Sequence, residues 1–277
     1  MAVEHKFGGS WTEIKLDVLE QYLRSYSTAL KLQKFQLIYI DAFAGSGTYI
    51  PADEPLSEPR KGSAKRALEL SPAFDKYIFI EQNKGRANEL RTLISSYPSI
   101  NAEVIATSAN IAVPDICKSI KWSSARAVLF LDPYGMSVDW GTLESVAATK
   151  AIDLWYLFPL GAAIRQLPHD EKRLDEHKYD ALTRIVGSEE WKQEVYKPPR
   201  QDDLFGTGPE SERDINFAKF ELFVKRRLEE AFVWVMDPIK LPPEGLQKFS
   251  LFFAMSNNST RAVELAKRIA NAIKASI

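Results

Sequence analysis

Two apolar rhythms alternate along this chain, one at helical spacing and one of short unbroken runs. From Ser10 to about Lys34, Ile14, Leu16, Val18, Leu19, Tyr22, Leu23, Tyr26 and Leu30 form a single helical stripe. Ser10 or Thr12 could cap this helix, and Glu13 stands three residues after Ser10 as in a capping box. The run Ile38-Tyr39-Ile40 then stops at Asp41, and Ala42-Phe43-Ala44-Gly45-Ser46-Gly47 follows as a small-residue turn. That is a buried strand feeding a tight loop, where glycine lets another backbone or a ligand come close. Tyr77-Ile78-Phe79-Ile80-Glu81 repeats the pattern, and so does Ala127 to Leu131, which ends in Asp132-Pro133-Tyr134-Gly135.

The intervening segments read as helices and loops. Tyr49 to Lys61 carries Pro51, Pro55 and Pro59 and reads as an exposed loop. Helices are expected from Gly62-Ser63 to about Leu70, from Lys84 to Ser96, and from about Ile111 to Ile120. Another is expected from Asp139, as its cap, to about Thr149. Further strands are expected at Glu103–Thr107 and Ile152–Pro159. Regular strand–helix alternation predicts βαβ units and a parallel sheet. From Gly161 to about Lys225 the rhythm breaks into a charged helical stretch. Lys197 to Arg213, with Pro198, Pro199, Gly206, Gly208 and Pro209, is expected to be a mobile cover, a docking surface or a plain linker. Phe232–Met236 and Phe249–Met255 follow as strands, their short connection favouring an antiparallel pair, and Thr260–Ala275 closes the chain as a helix. No internal repeat is visible. We expect one α/β, Rossmann-like domain over residues 1–277, with a helical and loop insertion at 162–228.

Composition changes this picture little. The 277 residues are 45% hydrophobic and 26% charged, ordinary globular usage and enough to bury a core. The one cysteine, Cys117, excludes an internal disulfide framework, and with three scattered histidines no metal site is readable. Met1 to Lys6 has no apolar signal region, and no run reaches membrane-spanning length, so a cytoplasmic protein is expected. The net charge of −1 does not point to a nucleic-acid partner.

The chemistry lies at the strand ends. Acids closing three parallel strands converge on one crevice at the carboxyl edge of the sheet, where open α/β folds bind ligands. Asp41 and Glu81 are candidate cofactor residues. A carboxylate at the Glu81 position can accept hydrogen bonds from ribose hydroxyls, or it can simply cap the next helix. The loop Phe43, Ala44, Gly45, Ser46 and Gly47 lacks the third glycine of the dinucleotide fingerprint, and its helix starts late, so a diphosphate fits poorly. S-adenosylmethionine, an amino-acid-bearing nucleoside, fits better. Asp132 and the Pro133 carbonyl could hold an exocyclic amine while Tyr134 stacks on a base, or the segment could be a plain turn. Ser108 and Asn110 could bond an adenine edge or cap a helix.

The segments Trp11-Thr12-Glu13, Lys15-Leu16, Tyr39 to Gly47, Gly62-Ser63 and Asp132 to Met136 resemble the three-Cys-motif partner proteins. Ala151 to Gly161 and Phe252 to Asn257 carry the same resemblance. It covers nearly the whole chain and is weakest from about Arg165 to Lys225. It implies a class I methyltransferase fold: a mostly parallel seven-stranded sheet with an antiparallel last strand. It also implies a partner bearing a three-cysteine motif, a radical-chemistry-like protein encoded nearby. Phe43-x-Gly45-x-Gly47 matches the cofactor loop of amino-directed methyltransferases. Those enzymes carry Asp/Asn-Pro-Pro-Tyr/Phe, whereas here Tyr134 directly follows Pro133. The leading expectation is methyl transfer from S-adenosylmethionine to a nucleic-acid amine. The alternative is a non-catalytic cofactor-binding partner of the three-cysteine protein, and another nucleotide-binding enzyme is a more distant third.

Overall fold

A computed structural model describes residues 11–51, 58–197 and 212–277. Five parallel strands form the centre of one sheet: β1 (Gln36–Asp41), β2 (Lys76–Ile80), β3 (Ala102–Ile105), β4 (Ala125–Leu131) and β5 (Ile152–Phe158). β6 is an edge strand in two segments, Trp234–Val235 and Ile239–Leu241, and both pair antiparallel with β7 (Phe249–Met255). β7 in turn runs antiparallel to β5. The spatial order is therefore 3-2-1-4-5-7-6, a Rossmann-like α/β arrangement whose last strand is antiparallel, as expected. The expected strand Phe232–Met236 covers only the first segment; Ile239–Leu241 falls in what reads as the connection. Pro238 lies between the segments and has no N–H for the ladder.

Strand residues alternate between two cores, because successive side chains point to opposite faces. Ile38, Ile40, Leu129, Leu154 and Tyr156 pack on one face; Leu37, Tyr39, Phe130, Trp155 and Leu157 pack on the other. A strand buried on both faces has to be apolar throughout, which is why these strands read as unbroken hydrophobic runs. The first core is covered by α4 (Ala109–Ser119), α5 (Trp140–Ala148), α6 (Leu160–Gln166), α7 (Glu176–Val186), α8 (Trp191–Val195) and α9 (Phe217–Ala231). The charged region after β5 thus contributes Leu182, Trp191, Phe220 and Leu228 to the main core. The second core lies under α1 (Trp11–Leu30), α2 (Ser63–Leu68), α3 (Lys84–Ser95) and α10 (Thr260–Lys274).

Several boundaries differ from the sequence reading. α1 stops at Leu30 instead of Lys34, because its stripe has run out: Leu32 is 87% exposed. Of its two proposed caps, Thr12 lies within the helix and Ser10 outside the described residues. The Tyr49–Lys61 loop contains a two-stranded ribbon, Thr48–Tyr49 against Arg60–Lys61. α4 begins at Ala109 and takes in Asn110. Asp139 sits at the start of α5, but its carboxylate makes no cap bond and instead receives Arg184, 2.5 Å away. The expected cover at Lys197–Arg213 lies outside the described residues from 198 to 211.

Candidate functional site

β1 delivers Asp41 fully buried at its carboxyl end. One carboxylate oxygen accepts from the Phe43 N–H (3.3 Å) and the other from the Tyr39 hydroxyl (3.3 Å). Burial pushes its pKa up to about 7. A hydrogen bond from Ser63 and those from Phe43 and Tyr39 oppose the rise, while the Asp132 charge adds to it. The loop after Asp41 is pinned to both neighbouring strands: the Ala42 N–H donates to the Phe130 carbonyl (3.0 Å) and the Ala44 N–H to the Ile80 carbonyl (3.1 Å). Gly45 and Gly47 turn the chain with φ of +61° and +88°, left-handed values that favour glycine. A Cβ on Gly45 would meet nothing within 4 Å, whereas one on Gly47 would overlap the Leu93 side chain.

β2 delivers Glu81, 6% exposed. Its Oε2 accepts from the Gly45 N–H (3.1 Å); its Oε1 accepts from the Asn83 N–H (2.7 Å) and from Arg86 Nη2 (2.9 Å). The carboxylate therefore ties the glycine loop to the start of α3. Ionised oxygens have further lone pairs, so Oε2 can accept a second donor.

β4 leads into Asp132, whose Oδ2 receives the ammonium of Lys15 from α1. The lysine side chain is 10% exposed and the aspartate 25%. From the sequence, Lys15 enters only through the resemblance, with no role in the site. Its signal is a charge on the buried face of α1, one and two turns before Leu19 and Tyr22. Close by, the Thr12 hydroxyl is buried without a hydrogen-bond partner among the described residues. Tyr134 is 83% exposed.

These groups surround a cavity of about 380 Å³ at the carboxyl edge of the sheet. Its walls include Phe43, Ala44, Gly45, Ser46, Gly47, Glu81, Asp132, Pro133 and Tyr134, so the structure brings these predicted residues together. Thr12, Lys15, Ser63, Arg86 and Leu157 join them from elements that the sequence reading did not connect with the site. Asp41 is not a wall residue: it is fully buried and bonds the Phe43 N–H. Ser108 and Asn110 also fall outside the walls. Ser108 precedes α4 without a side-chain cap bond. Asn110 donates to the Ser137 carbonyl (2.9 Å) and accepts from the Asp139 N–H (3.0 Å) and the Thr142 hydroxyl (2.9 Å), so its amide clamps α4 to α5. Among the described residues there is no metal-ligating cluster and no helix long and apolar enough to cross a membrane.

No protein-family model matches the chain, and no curated protein matches it in sequence. Solved structures do match in fold. Protein LPL1258 of Legionella pneumophila is 12% identical, with 96% of this chain covering 92% of that one at a TM-score of 0.53. Trm1 of Pyrococcus horikoshii, solved in complex with S-adenosyl-L-methionine, is 11% identical at a TM-score of 0.50, with 94% of this chain covering 59% of that one. The putative methyltransferase YhhF of Escherichia coli is 11% identical over 86% of this chain and 87% of its own, at a TM-score of 0.37.

Proposed function

We propose that the chain binds S-adenosylmethionine at the carboxyl-edge cavity and transfers its methyl group, with an amine of a nucleic-acid base as acceptor. The observation that carries this reading is the convergence of the Gly45–Gly47 loop, Glu81 and Asp132 on one cavity of about 380 Å³. The residues fit the cofactor. Gly45 leaves open the space that a Cβ would fill, Oε2 of Glu81 can take a further donor, and the Thr12 hydroxyl lacks a partner. When bound, S-adenosylmethionine supplies an electrophilic methyl on a cationic sulfonium. Glu81 would accept the ribose hydroxyls while keeping the glycine loop in place. Asp41, buried beneath, would hold the loop's first turn. Asp132 would accept from the incoming amine and orient its lone pair, and that amine would compete with Lys15 for the carboxylate. Calorimetric titration with S-adenosylmethionine, then a labelled-methyl assay on cellular RNA and DNA, tests the reading. No binding at millimolar ligand would sink it.

A second reading is favoured by Asp132 and Tyr134. The carboxylate is already paired with Lys15, and the ring expected to stack is exposed. Both observations suit a cofactor-binding subunit that leaves chemistry to a partner, here a three-cysteine-motif protein as the sequence resemblance implies. Binding of S-adenosylmethionine without transfer to any RNA or DNA, together with co-purification of such a protein, would select this reading.

A further inference from the structure

A second cavity lies at the opposite, amino edge of the sheet. It measures about 700 Å³, within the range of small-molecule sites, and opens between α1 and α10. Tyr22, Tyr26, Phe35, Arg126 and Met255 wall it, together with Asp153 of β5. Asp153 is 5% exposed. Among the described residues its one hydrogen bond comes from the Tyr22 hydroxyl to Oδ2, at 2.6 Å, and no cation pairs with it. Arg126 lies near enough for its charge to act on Asp153, but forms no ion pair with it. Its Nη1 donates to the carbonyls of Trp122 (2.8 Å) and Ala125 (2.6 Å), and its guanidinium lies 4.0 Å from the centre of the Phe35 ring. Buried carboxylates are normally paired with a cation, because leaving water costs them several kcal/mol. Here a carboxylate with one hydrogen-bond donor lines a space large enough for a ligand, beside aromatic rings that attract cations.

We propose that this cavity is a second binding site, for a small organic cation whose ammonium or guanidinium group is received by Asp153. The site is separate from the carboxyl-edge cavity. Asp153 and Leu157 lie at opposite ends of β5, four residues or about 13 Å apart. The charged and titratable groups around Asp153 are Tyr22 and Tyr26 on α1, Arg126 on β4, and Arg261, Glu264 and Arg268 on α10. Burial pushes the Asp153 pKa up to about 7, opposed by the Tyr22 hydrogen bond and the Arg126 charge. A cation needs the ionised form, so binding strengthens as pH rises through neutrality and weakens below it.

Agmatine, which carries both cationic groups, is the probe, titrated calorimetrically into the whole chain. The expected result is binding near pH 8 that Asp153→Asn, which keeps the Tyr22 hydrogen bond, weakens by about tenfold or more. Wild-type binding should also weaken near pH 6, an arm that decides the matter if the variant does not fold. No heat at about 10 mM agmatine, equal affinity in Asp153→Asn, or affinity indifferent to pH would each overturn the proposal.

Discussion

Gly45 and Gly47 stand two residues apart in one loop and should fail differently when given a side chain. Both have left-handed φ, +61° and +88°, and an L-residue there costs about 1–2 kcal/mol. At Gly45 that is the whole cost of alanine, since its Cβ meets nothing within 4 Å. At Gly47 the Cβ would overlap Leu93, which packs against the second core. The atom met is a terminal methyl of a half-buried side chain that can turn aside, which adds about 0.5–1.5 kcal/mol. Gly45→Ala should therefore lose about 1–2 kcal/mol and Gly47→Ala about 1.5–3.5 kcal/mol. Urea unfolding followed by circular dichroism measures both. Binding should show the reverse ranking of interest. Gly45→Val fills the open side of the loop, so it should abolish S-adenosylmethionine binding in calorimetry while the protein still unfolds cooperatively. Equal stability losses for the two alanine variants would refute the packing argument. Undiminished binding by Gly45→Val would refute the placement of the cofactor.

Other consequences can be measured directly. Asp132→Ala strands the Lys15 ammonium in a site where it is 10% exposed, so it should cost about 3 kcal/mol in urea unfolding. Lys15→Met added to that variant should recover most of the loss; no recovery would show that the pair is not coupled. Asp41 and Asp153 both titrate near 7 when folded and near 3.9 unfolded. The folded state thus binds more protons between those values, and stability should fall as pH rises from about 4 to 7, then level off. A stability flat or rising over that window would contradict the buried placement. Tyr134→Ala, at an 83% exposed position, should change stability by under about 0.5 kcal/mol and leave S-adenosylmethionine affinity intact. Cys117, whose thiol burial pushes up to about 12, should resist thiol reagents until the protein unfolds.

The fold was legible because a sheet covered on both faces leaves continuous apolar runs, and β1, β2, β4 and β5 announce themselves that way. The walls of the cavity were legible where acids close the strands, as with Glu81 and Asp132. It was not legible where a partner arrives from a distant element. Lys15 meets Asp132 across 117 residues, and no local pattern encodes that meeting beyond one charge on an apolar stripe. Asn110 was open between a ligand contact and a cap; its amide joins α4 to α5, a third use that its place just past a strand does not encode. Asp139 has a cap's identity and position, yet a nearby guanidinium draws its carboxylate away. These are tertiary choices, made after the secondary structure is set.

The way α1 is seated also bears on how the chain is made. Its polar ties, Lys15 to Asp132 and Tyr22 to Asp153, span 117 and 131 residues. During synthesis at about 5–20 residues per second, α1 therefore waits roughly 6–26 seconds for its partners to be translated. α1 thus leaves the ribosome well before the strand ends that its polar ties require. For that interval its stripe of Val18, Leu19, Tyr22 and Leu23 has no sheet to lie on. Nascent chains halted before Asp132 should therefore be the form of this protein most dependent on chaperones.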